Sequence, residues 1–159
     1  MTVIADHMPS QFRPSQTSLA TPAFMKSLSG TSTLQIAHEA LKHLPPITPT
    51  SIIHDTACGD GAITSAILEN LDTLTHPQQI YASDIDETLL ATLRYKADAN
   101  GWHVITALMP MQALLYPDKL FSHVIINCAL FRLSDADAVL ACKEMHRTLQ
   151  HGGTGVVTC

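Results

Sequence analysis

The stretch Asp55-Thr56-Ala57-Cys58-Gly59-Asp60-Gly61 holds the residue types and spacing best suited to chemistry in this chain. It leaves a short apolar run, Ser51 to Asp55 (SIIHD), and enters a segment in which Ile63, Ala66 and Ile67 share a helical face. Two glycines in such a turn let the backbone approach a ligand with no Cβ in the way, and the helix that follows offers free N–H groups to an anion. Sterics alone also favour glycine in strand-to-helix turns, so the turn by itself is consistent with either a ligand site or plain packing. A second apolar run, Gln79 to Ser83, tips the balance: it ends in Asp84-Ile85-Asp86, about 25 residues beyond the glycine turn. A carboxylate there can accept two hydrogen bonds from a ribose diol, each worth roughly 1.5–3 kcal/mol. Asp86 suits the N-cap of the next helix, which leaves Asp84 for a ligand. Together the two loops specify a nucleoside site.

These loops need a scaffold, and the pattern around them supplies one. Leu34, Ala37, Leu41 and Leu44 recur at helical spacing until Pro45 and Pro46 stop the helix. Strand Ser51 to Asp55 is followed by helix Ala62 to Leu71, and strand Gln79 to Ser83 by a helix from Glu87 that closes at Gly101. His103 to Leu108 reads as a third strand and Phe121 to Asn127 as a fourth. Asp135 to Leu149 is a helix, Gly152 and Gly153 make a turn, and Thr154 to Cys159 is a fifth strand. Strands alternating with helices imply right-handed crossovers and an α/β, Rossmann-like, doubly wound parallel sheet. Ligands of such sheets lie beyond the carboxyl ends of the strands, where the two loops fall. Residues 1–30, rich in Ser, Thr and Pro, read as a flexible N-terminal arm, and residues 31–159 as one domain.

Composition narrows the function classes. Of 159 residues 46% are hydrophobic and 14% charged, which suits a buried core and excludes a disordered chain. The formal charge of −5 and the lack of a basic run argue against nucleic acid as a partner. No secretion signal and no apolar run of about 18 residues is visible, so the expectation is a soluble, cytoplasmic protein without a membrane partner. Cys58, Cys128, Cys142 and Cys159 form no C-x-x-C pair and read as reduced, mostly buried side chains. Nine histidines show no metal-ligand spacing, so no metal is expected; His54, inside a strand, reads as a neutral, hydrogen-bonded core group. His146 and Arg147 suit the end of their helix, and Tyr116 and Asp118 read as turn material. Neither paired carboxylates nor a nucleophile triad offers itself for hydrolysis.

The spacing D-x-A-C-G-D-G lacks the G-x-G-x-x-G pyrophosphate fingerprint, which disfavours a nicotinamide-dependent reductase. The run HDTACGDGAIT resembles the cofactor turn of class I S-adenosylmethionine-dependent methyltransferases, in a variant with alanine for the first glycine. Phe121 to Cys159 resembles that family's fourth strand through its fifth. LKHLPPITPTS, NGWHV and HRTLQHGGTGVVT further resemble small-molecule methyltransferases of filamentous fungi, commonly associated with secondary metabolism. The similarity covers about residues 30–159.

The resemblance implies the strand order 3-2-1-4-5 and S-adenosyl-L-methionine as cofactor, with a small-molecule methyl acceptor. Asp55, Ala57, Gly59 and Gly61 would cradle the methionine part, Asp84 would bind the ribose and Ile85 would lie against adenine. Met109 to Ala113 corresponds to the adenine-edge loop, where Pro110 and Met111 replace the usual aspartate and alanine. Proline has no side-chain acceptor and no N–H, so one polar contact is missing. Asn127 would face the sulfonium and the acceptor, and Phe131 would wall the pocket; no catalytic base stands out. The family's usual two further strands are lacking here, which suggests a C-terminally incomplete domain whose fifth strand is an edge for a second copy or a partner chain. The competing expectation is a weak or inactive cofactor-binding remnant that acts through a protein partner.

Overall fold

A computed structural model of the chain describes residues 32–70, 77 and 79–158. The arm expected over residues 1–30 and the end of the fifth strand at Cys159 lie outside the described residues. Five strands, β1 (Ile52–Thr56), β2 (Gln79–Asp84), β3 (Val104–Leu108), β4 (Phe121–Asn127) and β5 (Leu149–Thr158), form one sheet in the order β3-β2-β1-β4-β5. Every pairing is parallel, with Asp55 beside Ala82 on one side and beside Ile125 on the other. The chain steps outward from β1 to β2 and β3, then returns to β4 on the far side of β1. That reversal puts the ends of β1 and β4 at the point where open α/β sheets take ligands.

Helices α1 (Ser32–Lys42), α2 (Ala62–Asn70), α3 (Glu87–Asn100) and α4 (Asp135–Thr148) cover the sheet. On one face Ile53, Ile80 and Ile125 pack against Ala37 of α1 and Ile63 and Ile67 of α2. Burial of such side chains stabilises by about 1.5–3 kcal/mol each. Helix α3 begins where expected: the Asp86 carboxylate accepts from Thr88 N at 2.8 Å and Leu89 N at 3.3 Å. It ends at Gly101, whose φ of 67° is the left-handed conformation that glycine adopts without a Cβ clash. Among the described residues no helix is long and apolar enough to cross a membrane.

The fifth strand departs from expectation. It starts at Leu149, where α4 stops, and Gly152 and Gly153 lie inside it rather than in a turn before it. Phe121 pairs with Leu149 but His123 pairs with Thr154, so the glycines are taken up in a bulge of β5 against β4. A Cβ on Gly153 would sit 3.1 Å from the Phe121 carbonyl oxygen, a tight approach that glycine avoids. On β4, Ser122 Oγ accepts from Ile52 N at 3.0 Å and donates to Ile52 O at 2.9 Å, replacing ladder bonds to β1. The irregularity changes side-chain parity: Phe121 joins Val124 and Ile126 in one cluster instead of facing with Ile125.

The second face holds a polar group in an aromatic setting. His54, fully buried, stacks on Phe121 with ring centroids 4.7 Å apart and meets the edge of Tyr116 at 4.9 Å. Its two nitrogens lie 2.8 Å from Ser83 Oγ and 2.9 Å from Thr56 Oγ1, so one hydroxyl donates while the other accepts. His54 is thus a neutral core group, as the sequence suggests. The cysteines correct another expectation: Cys58 is buried, Cys128 half-buried and Cys142 exposed, all three as free thiols.

Burial lowers the His54 pKa to about 3, because the imidazolium would lose its hydration. A histidine with a depressed folded pKa binds fewer protons in the native state than when unfolded, so its contribution falls as pH drops from about 6.5 toward 3. His54→Gln removes the titrating group. In urea unfolding its stability deficit relative to wild type should narrow by up to about 5 kcal/mol between pH 7.5 and pH 3. A constant deficit would show that His54 does not titrate with unfolding.

Candidate functional site

The turn from β1 into α2 is built from left-handed backbone. Ala57, Gly59 and Gly61 have φ of 53°, 56° and 88°. Their glycines answer different demands. A Cβ on Gly61 would stand 2.4 Å from Leu93 Cδ1 of α3, so Gly61 allows the turn to pack on that helix. A Cβ on Gly59 would meet nothing within 4 Å, so that backbone faces open space where a ligand can approach.

Carboxylates hold the turn in place. The Gly59 N–H donates to Asp84 Oδ2 at 2.8 Å, and the Asp86 N–H donates to Asp84 Oδ1 at 2.9 Å. Each Asp84 oxygen keeps a second lone pair, so a diol can still be accepted by a carboxylate whose orientation is already set. Asp55, 1% exposed, accepts at Oδ2 from Thr64 N at 3.0 Å and Thr64 Oγ1 at 2.7 Å, tying β1 to the first turn of α2. Lys96 of α3 donates to the Asp60 carbonyl at 2.8 Å and to Asp60 Oδ2 at 3.0 Å, bracing the turn from outside. Burial raises the Asp55 pKa to about 6, opposed in part by the Thr64 bonds. Burial likewise pushes the Cys58 thiol upward, so it is no nucleophile at neutral pH.

A cleft of about 80 Å³ opens beside the turn. Ala57, Asp84 and Ile85 line one side, and Met111 and Gln112, from the segment after β3, the other. Met109 and Leu133 complete it. Ile85 is 74% exposed, an apolar surface of the kind a nucleobase covers.

Of the residues singled out from sequence, the structure brings Ala57, Asp84, Ile85 and Met111 together at this cleft. Gly59 reaches it through its bond to Asp84, and Gly61 serves helix packing. Asp55 is not among the residues that line the cleft: 1% exposed, it braces the turn through Thr64. Asn127 does not line the cleft either; its carboxamide donates to Thr33 O at 3.2 Å and accepts from Thr158 Oγ1 at 2.6 Å. Phe131 is 65% exposed and likewise stands outside the cleft lining. Leu133 and Thr64 were not anticipated; Leu133 is delivered by a short 3₁₀ turn, Leu130–Arg132, for which the sequence holds no signal. Thr64 could have been noticed as a hydroxyl one helical turn from Asp60, in reach of the strand-end carboxylate.

A methyltransferase domain family matches residues 53–153, which include the turn, the cleft and the bulge of β5. The chain belongs to that family. Methyltransferase tpcH of Aspergillus fumigatus is 30% identical over 105 residues, 65% of this chain and 36% of the relative. The chain therefore spans about a third of the length of that protein. Among solved structures, a Methanococcus maripaludis protein described as an S-adenosyl-L-methionine-dependent methyltransferase superposes with a TM-score of 0.68 at 20% identity, covering 84% of this chain and 59% of its own. Haemonchus contortus phosphoethanolamine N-methyltransferase 1, solved with phosphoethanolamine and S-adenosylhomocysteine, gives 0.69 at 17% identity, with 89% and 29% covered. These likenesses bear on the fold: the chain is a domain of the methyltransferase family, with the order 3-2-1-4-5 that the sequence resemblance implied.

Two substitutions test the turn of this methyltransferase domain. Asp55 has a raised folded pKa, so its contribution is complete below about pH 3.8 and is lost as pH rises through about 6. Asp55→Asn, which keeps an acceptor for Thr64 and cannot ionise, should match wild type near pH 3.5 and exceed it by about 3 kcal/mol at pH 7.5 in urea unfolding. Equal stabilities at both pH values would refute the buried charge. Ala57 holds a left-handed conformation that costs an L-residue about 1–2 kcal/mol, partly offset by the lower entropy of its unfolded state compared with glycine. Ala57→Gly should raise the thermal midpoint by a few degrees, corresponding to about 0.5–1 kcal/mol.

Proposed function

We propose that this domain binds S-adenosyl-L-methionine and transfers its methyl group to a small-molecule acceptor. The observation that carries this reading is the Asp84 carboxylate, fixed by two backbone N–H groups at the cleft between the β1 turn and the segment after β3. The residues present suit the cofactor. Asp84 has lone pairs free for the ribose hydroxyls, Ile85 and Met111 offer apolar surface to adenine, and the Gly59 backbone leaves room for the methionine part. When bound, the sulfonium supplies an electrophilic methyl carbon. The protein's share is then to orient acceptor and cofactor for in-line attack and to exclude water. Family membership and identity to a methyltransferase of A. fumigatus support the enzymatic reading. The sequence resemblance to fungal small-molecule methyltransferases extends it to an acceptor in secondary metabolism and to action in the cytoplasm. The β5 strand pairs with β4 alone among the described residues, so on this reading its outer edge is where a second copy or a partner chain would add.

A second reading has its own support. Pro110 stands where an adenine acceptor is expected, and a cleft of about 80 Å³ is small for a nucleoside, as it would be in a weak or inactive remnant that works through a protein partner.

Calorimetric titration of the 159-residue chain with S-adenosylmethionine and S-adenosylhomocysteine separates the two. Micromolar binding that weakens at least a hundredfold in Asp84→Ala, as the loss of two charge-assisted bonds requires, supports the enzyme. No binding by a chain shown to be folded by circular dichroism favours the remnant.

A further inference from the structure

One arginine uses every N–H of its guanidinium, and it spends three of them on residues 114–118, where the segment that walls the cleft ends and the chain runs on toward β4. Arg147, in the last turn of α4, donates from Nη1 to Tyr116 O at 2.8 Å and Asp118 Oδ1 at 2.7 Å, and from Nη2 to Leu114 O at 3.1 Å. Its remaining donors, Nε and the other Nη2 proton, go to the two oxygens of Glu144 at 2.8 and 2.7 Å. Glu144 Oε2 in turn accepts from Leu114 N at 2.9 Å. The peptide groups flanking Leu114 are therefore both held by one fork-to-fork ion pair. At the other end of the wall, Met109 N donates to Asp84 O at 3.0 Å. Between these anchors lie Met111 and Gln112, which face the cleft.

We infer that the Arg147–Glu144 pair is a positioning device that sets cofactor affinity by holding the segment 109–114 against the cleft before a ligand arrives. The inference rests on the cofactor reading above. Its physical ground is preorganisation: a wall already ordered loses little freedom on binding, whereas a loose one must be ordered at the expense of affinity. The pair also favours its own charged state, since Arg147 holds the Glu144 carboxyl below its usual range. Lysine cannot substitute, because an ammonium offers three donors from one point and cannot span two carbonyls and a carboxylate.

The test is the affinity of the chain and of Arg147→Lys for S-adenosylhomocysteine, joined to amide hydrogen exchange. The expected result is about tenfold weaker binding by the variant, with faster exchange at residues 111–114 and unchanged exchange in β1. Ile67→Val is the comparison for simple destabilisation: it loosens the core on the other face of the sheet and should leave affinity intact. Glu144→Gln should also weaken binding, and the double variant should fall short of the sum of the two effects. Wild-type affinity in Arg147→Lys overturns the inference and leaves the cofactor reading standing. Weaker binding accompanied by faster exchange throughout the sheet overturns it as well, because the loss is then one of global stability. Absence of binding by the wild-type chain overturns both readings together.

Discussion

The geometry of this domain's candidate site depends on the carboxylate of Asp84. One oxygen holds the Gly59 N–H and the other the Asp86 N–H, so a single side chain joins the glycine turn, the end of β2 and the start of α3. The Asp84 backbone carbonyl adds Met109 and with it the segment after β3. Three consecutive strand ends thus converge on one residue. Without it, the turn would lose the side-chain acceptor that fixes Gly59, next to the left-handed Ala57, whose conformation is unfavourable for an L-residue.

Support for that point is distributed by element. Thr64 and Lys96, from α2 and α3, secure the turn through Asp55 and Asp60, and α4 secures the opposite wall at Leu114. The contacts run from helices to the strand end and to irregular segments, which gives loops the precision that secondary structure has by itself. The helices can serve this way because their inner faces are fixed by apolar packing on both sides of the sheet.

Much of this was legible in the sequence. The alternation of β-prone runs and helical periods located all five strands, since each period reflects which side chains must be buried. Asp86 and Gly101 announced the ends of α3 because capping chemistry is local. The strand order was legible only through resemblance to a family, as periodicity carries no information on which strands are neighbours. What stayed hidden depends on contacts between distant segments. Nothing near Gly152 and Gly153 reveals that they are absorbed into a bulge opposite Phe121, so a turn was the natural expectation. Asn127 has the right place for a ligand contact, yet Thr33 and Thr158, far away in sequence, take up its carboxamide. Arg147 read as a helix-end charge because its partners at Leu114 and Tyr116 lie some thirty residues earlier.

The neighbours His54 and Asp55 on β1 bring a consequence beyond the site. Both are buried, and burial disfavours the charge of each, which depresses one pKa to about 3 and raises the other to about 6. Between roughly pH 4 and 6 the unfolded chain takes up a proton at the imidazole and gives one up at the carboxyl. The two slopes have equal size and opposite sign, so over that interval unfolding exchanges almost no net protons with solvent through this pair. Mild acidification therefore finds the strand that carries the glycine turn buffered against itself.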